Sequence, residues 1–214
     1  VKVEVMYVDE QGNRYSDTLE ASLTVLVKLN VYAQDKDGNQ LQIPITINQN
    51  HYTSFSDWVD PTSGIQLSAP KTVEKDNVRY IFEQWSDGNT LASRQLSITK
   101  STTLTAVYRV EYHVTVSSPY GEVSGEGWYP AGEEATISVS PTQIGFGVKN
   151  VFDHWEDENG NVLSSSPEFK VKVTGPMNIK AVWRTDYTEA AIIGAVAAAA
   201  IALAAYMAMS KARK

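Results

Sequence analysis

No cysteine occurs among the 214 residues. That excludes disulfides, thiolate chemistry, iron–sulfur clusters and cysteine-bound zinc, and it leaves the redox compartment unmarked. Histidine is scarce: His51, His113 and His154 are the only three, too few for a metal centre unless carboxylates supply the other ligands. Basic residues are outnumbered, 18 Lys and Arg against 25 Asp and Glu, for a formal charge of −7. They are also scattered, whereas a nucleic-acid binder concentrates positive charge for phosphate contacts; no nucleic-acid partner is expected. No nucleophile elbow, phosphate-binding loop, dinucleotide glycine cluster or His-Glu zinc motif is present. The chain reads as non-enzymatic and without a cofactor.

Long apolar runs are absent too, with one exception. Residues 190–209 (AAIIGAVAAAAIALAAYMAM) carry no charge, and Ala fills eleven of the twenty positions. At about 1.5 Å per residue, such a helix spans roughly 30 Å, the thickness of a bilayer hydrocarbon core. A buried core helix is the alternative, but little else in the chain is able to cover it on all sides. The reading is a transmembrane helix over 188–209 with a basic cytoplasmic tail over 210–214. Lys211, Arg213 and Lys214 follow the run and Asp186 and Glu189 precede it, so the positive-inside tendency puts the N-terminal part outside the cell membrane. Setting aside the three tail charges, 15 basic against 25 acidic groups leave −10 on the remainder. Export needs a leader, so the expectation is a signal peptide already removed, or a longer protein of which this is the C-terminal piece. Ala190, Gly194, Ala198 and Ala202 recur every fourth residue, a small-residue stripe that permits close helix–helix packing in lipid.

Before residue 188 the pattern is period two. Residues 1–8 alternate and end at the turn 9–13; residues 23–33 (LTVLVKLNVYA) form a long strand and 35–39 (DKDGN) a turn. Ile43, Ile45 and Ile47 share one face, with Pro44 marking an edge or bulge. Residues 48–70 are polar with scattered aromatics and read as an irregular stretch. The expected class is an all-β ectodomain of small stacked modules followed by one transmembrane helix. Its divisions are 1–26 (a strand pair, the end of a preceding module), 27–110 and 111–187.

The last two modules repeat each other. YIFEQW at 80–85 matches NVFDHW at 150–155, an offset of 70 residues. Each tryptophan is followed by an acidic, glycine-containing turn and a strand. A closing strand follows, LTAVYR at 104–109 against IKAVWR at 179–184, offset by 75. A small module gains buried area by recruiting large flat side chains, so Phe82, Trp85 and Tyr108, with Phe152, Trp155 and Trp183, are the expected core aromatics. Carbohydrate stacking is the alternative use of the two tryptophans. Asp153 and His154 are neighbours in a strand, where adjacent side chains point to opposite faces, so they are not expected to pair. Alternating oxygen ligands at Asp35, Asp37 and Asn39, and at Asp157, Asn159 and Asn161, could hold calcium, but neither turn has a full twelve-residue loop or its closing Glu. Ordinary Asx turns account for both, and no metal is expected.

The order strand, Gly127-Trp128-Tyr129-Pro130-Ala131-Gly132, Thr136-Ile137-Ser138-Val139, Phe152-x-x-Trp155, acidic Gly turn and Ala181-Val182-Trp183 resembles the divergent internalin B-type repeats of bacterial and archaeal surface proteins. Residues 111–184 fit throughout. Residues 27–109 fit from Tyr80 onward but lack the Gly-Trp-Tyr turn. With its single C-terminal anchor the chain is most similar to archaeal cell-surface or secreted proteins. The resemblance implies β-rich spacer or adhesion modules and a place at the cell envelope or S-layer, not a chemistry. Two functions follow: a non-catalytic, membrane-anchored structural, adhesion or envelope-assembly protein, or an accessory single-pass subunit of a larger membrane complex. The partners implied are membrane lipid and other surface or membrane proteins, or a second copy.

Overall fold

In a computed structural model describing residues 2–20 and 25–212, the alternating segments are strands and the apolar run is helix. Strands take 56% of the described residues and helix 12%, all of the latter in Thr188–Ala212. Val1, residues 21–24 (the start of the expected strand 23–33 included) and the tail residues Arg213 and Lys214 lie outside the described residues.

Two compact units divide the chain: residues 1–73 with 82–108, and residues 74–81 with 109–214. In the first, Val27–Asp35 pairs antiparallel with Ser54–Val59 and with Gln40–Leu41, and parallel with residues 102–108 of the strand Thr102–Ser117. Its alternate residues Leu29, Val31 and Ala33 are fully or almost fully buried, as are Leu104, Ala106 and Tyr108. A second sheet has the order Ser93–Leu96, Ile65–Ser68, Ile45–Ile47, Asn50–Tyr52, and Ile43, Ile45 and Ile47 point one way into the core. Pro44 immediately precedes Ile45–Ile47, so its missing N–H costs that ladder nothing. Lys2–Val8 and Arg14–Glu20 form a separate two-stranded hairpin.

The second unit repeats this plan. Residues 114–117 pair parallel with residues 177–180 of Met177–Asp186, which pairs antiparallel with Lys149–Glu156. Glu122–Ser124, Glu134–Ser140 and Glu168–Lys172 form the second sheet, with Glu134–Ser140 central. These three match Ile45–Ile47, Ile65–Ser68 and Ser93–Leu96 in strand order, so the sequence repeat is also a repeat of topology. Its core joins Val114, Val116, Ala135, Ile137, Val139, Phe152, Trp155, Val173, Ile179 and Ala181.

The irregular stretch expected over 48–70 instead contains strands. Asn48 and Gln49 both take positive φ, 46° and 72°, making the two-residue turn whose twist suits a hairpin between Ile45–Ile47 and Asn50–Tyr52. The Asn48 side chain accepts from the Gln66 N–H at 2.8 Å, and its own N–H donates to the Gln66 carbonyl at 2.9 Å. Ser54–Val59 is mostly exposed, so it needs no apolar alternation and shows none.

Candidate functional site

Asp186, Tyr187 and Thr188 join the last strand to the helix with almost no slack. The Asp186 carboxylate accepts from the Thr188 N–H at 2.8 Å and caps the helix. Those hydrogen bonds hold its pKa below the ordinary carboxylate value. A second free N–H of the first turn, that of Ala190, donates to the Gly147 carbonyl at 3.0 Å. Lys149 pairs with Glu189 beside it. From there to Lys211 the helix is long and apolar enough to cross a membrane, and none of its apolar window is buried by protein. It is apolar all round, with no polar face to turn to water. Gly194, Ala198 and Ala202 are exposed and Ala190 is half-buried; a Cβ on Gly194 would meet nothing within 4 Å.

The repeated aromatics form two similar clusters. Phe82 lies 5.7 Å from Trp85 and 5.8 Å from Tyr108 between ring centroids; Phe152 lies 5.5 Å from Trp155 and 6.1 Å from Trp183. Trp85, Trp155 and Tyr108 are 0% exposed and Phe152 9%, whereas Phe82 and Trp183 are half-buried. Buried indoles cannot offer a face to a sugar ring, which removes carbohydrate stacking as a use for Trp85 and Trp155. The Trp85 N–H donates to the Leu91 carbonyl at 2.9 Å. The Trp155 N–H meets no acceptor among the described residues. Burial raises the Tyr108 hydroxyl above its ordinary pKa, and it donates to the Pro70 carbonyl at 2.9 Å.

In each unit an open depression lies between the acidic turn and the closing strand. That of the second unit has a volume of about 520 Å³ and is bordered by Glu156, Asp157, Asn178 and Lys180. Its counterpart in the first unit, about 340 Å³, is bordered by Asp87, Arg94, Lys100 and Thr102. Asp35 and Asp157 spend their carboxylates within their own turns. Asp35 Oδ1 accepts from the N–H groups of Asp37 and Asn39 at 3.0 and 2.8 Å, and its Oδ2 from the Asn39 amide at 2.9 Å. Asp157 repeats this with Asn159 and Asn161 at 2.8, 2.9 and 2.9 Å, and the same bonds depress its pKa. This is the geometry of hydrogen-bonded Asx turns; no group of three or more His, Asp or Glu suited to a metal occurs among the described residues.

Asp153 and His154 do pair, contrary to the flat-strand expectation. A register shift between Phe152 and His154 bulges the strand, and a bulge breaks the alternation that would separate neighbours. His154 Nδ1 lies 2.7 Å from Asp153 Oδ2 and its Nε2 3.9 Å from Glu156. Among the described residues the imidazole is hydrogen-bonded to no hydroxyl.

Sequence reasoning missed the cluster that ties residues 74–81 to the second unit. Arg79 donates to Glu111 Oε2 at 2.9 and 2.5 Å, Arg109 reaches Oε1 at 2.9 Å, and the Arg79 guanidinium lies 4.4 Å from the Trp128 ring centroid. Glu111 is nearly buried. A lone Glu within an apolar strand was the available signal. No family model, curated protein or solved structure matches the chain, so its own geometry is the ground for a functional reading.

Proposed function

We propose that this chain is a single-pass, membrane-anchored surface protein whose β modules serve a structural, adhesive or envelope-assembly role without catalysis. The observation that carries this reading is the uncovered, all-round apolar helix Thr188–Ala212. Leaving it in water costs the hydrophobic free energy of its whole surface, and a bilayer relieves that on every side. The basic residues after it favour a cytoplasmic tail and an external N-terminal part. The motifs of residues 111–184, which resemble internalin B-type repeats, imply a spacer or adhesion role at an archaeal or bacterial envelope. In cells expressing the full chain, alkaline carbonate should leave it in the membrane pellet, and external protease should remove the β units. Extraction into the supernatant would refute the anchor; complete protection in intact cells would refute the orientation.

A second reading, an accessory subunit of a membrane complex, is favoured by the open stripe containing Gly194, Ala198 and Ala202. Under it, Gly194→Ile and Ala198→Leu should still insert yet lose their co-purifying partners. Undiminished co-purification would leave the stripe as anchor composition and favour the first reading.

A further inference from the structure

Residues 145–149 form a tight loop beside the first turn of the C-terminal helix. Gly145 and Gly147 take φ of 112° and 73°, a region L side chains rarely adopt. A Cβ on Gly145 would lie 2.6 Å from the Val148 carbonyl oxygen. The Val148 N–H closes the turn on the Phe146 carbonyl at 2.9 Å. Between the two glycines Phe146 is 87% exposed, and Val148 after them is 44% exposed. The two positive-φ glycines therefore flank an aromatic side chain held in the open.

The loop's position gives that exposure a meaning. The Gly147 carbonyl accepts from Ala190 at 3.0 Å, and Lys149 pairs with Glu189, which holds the loop level with the helix's first turn. Tyr187 at that level and Tyr206 toward the other end are 63% and 71% exposed. The nineteen-residue step from Tyr187 to Tyr206 corresponds to about 28 Å of helix, close to the roughly 30 Å hydrocarbon thickness, and tyrosines concentrate at both membrane interfaces. An interface passing through Tyr187 also passes through the loop.

We infer that Phe146 and Val148 dip into the outer membrane interface as a second lipid contact, a foot beside the anchor helix. The occupant of this apolar tip is the bilayer, by continuity with the helix; the inference rests on the spanning reading above. Two attachment points resist tilting of the second unit, which one helix alone does not. The ladder from Lys149↔Asp186 to Glu156↔Lys180 then carries the turn at 157–161 about 23 Å from the lipid, at roughly 3.3 Å per residue.

The cysteine-free sequence makes the test direct. Full-length chains carrying Phe146→Cys, Val148→Cys, Val196→Cys or Asn159→Cys are labelled with a nitroxide and reconstituted into phosphatidylcholine vesicles. Accessibility to oxygen relative to a nickel chelate is then read by electron paramagnetic resonance. The ratio should be highest at 196, lowest at 159, and several-fold above the 159 value at both 146 and 148. The Val148→Cys chain keeps Phe146, so it reports immersion even if the label at 146 disturbs the tip. Values at 146 and 148 equal to that at 159, with 196 immersed, overturn the foot and leave the anchor standing. A water-like value at 196 overturns the anchor, and the foot with it.

Discussion

Trp85 and Trp155 occupy matching positions and are equally buried, yet they should respond differently to Trp→Phe. Each is 0% exposed, so truncation of either to Ala should cost about 3–5 kcal/mol. Phenylalanine keeps the flat apolar body and deletes only the pyrrole ring and its N–H. At Trp85 that N–H donates to the Leu91 carbonyl at 2.9 Å; losing it forfeits about 0.5–1.5 kcal/mol, on top of a cavity cost of roughly 1–2 kcal/mol. At Trp155 no described residue accepts from the N–H. Deleting it relieves a desolvation penalty of about 1–3 kcal/mol, which offsets most of the cavity cost. Trp155→Phe should therefore lie within about 1 kcal/mol of the parent, and Trp85→Phe roughly 2–3 kcal/mol below it. Urea titration of the full chain in detergent micelles, followed by near-ultraviolet circular dichroism, measures both. Equal losses, or a greater loss at Trp155, would show that the second indole N–H is satisfied and refute the reasoning.

Two further outcomes follow from other contacts. Arg79→Ala removes one partner of the nearly buried Glu111 and the cation stacked on Trp128 while Arg109 remains; about 2–3 kcal/mol of stability should be lost. Faster hydrogen exchange over residues 74–81 should accompany the loss, and unchanged exchange there would refute the assignment of that segment to the second unit. Asp9, Asp157 and Asp186 all have folded pKa values below the unfolded value of 3.8. Their contribution is complete above that value and is lost as pH falls through the lower folded values. Melting temperature should be insensitive to these groups from pH 7 to 5 and decline below about pH 4; a flat profile down to pH 2.5 would count against them.

Local patterns were enough for the class of structure. Strand alternation at Leu29, Val31 and Ala33, the apolar run after Tyr187, and the Asx turns at Asp35 and Asp157 each depend on neighbours a few residues apart. The repeat was legible because its aromatic pairs recur at nearly constant offsets. Ser54–Val59 was not legible, because an exposed strand carries no apolar period. The Asp153–His154 pair depended on a bulge, which no alternation rule anticipates. The placing of residues 74–81 with the second unit involves contacts across long separations, among them Arg79 with Glu111, thirty-two residues away, and the His113 N–H with the Asn77 carbonyl. The exposed Phe146 acquired its position from Gly147 meeting Ala190. Periodicity determines which face of an element is apolar, because backbone geometry imposes it locally. Which charge meets which, and which loop stands beside the helix, depends on chain closure over long separations, and only the tertiary structure decided it.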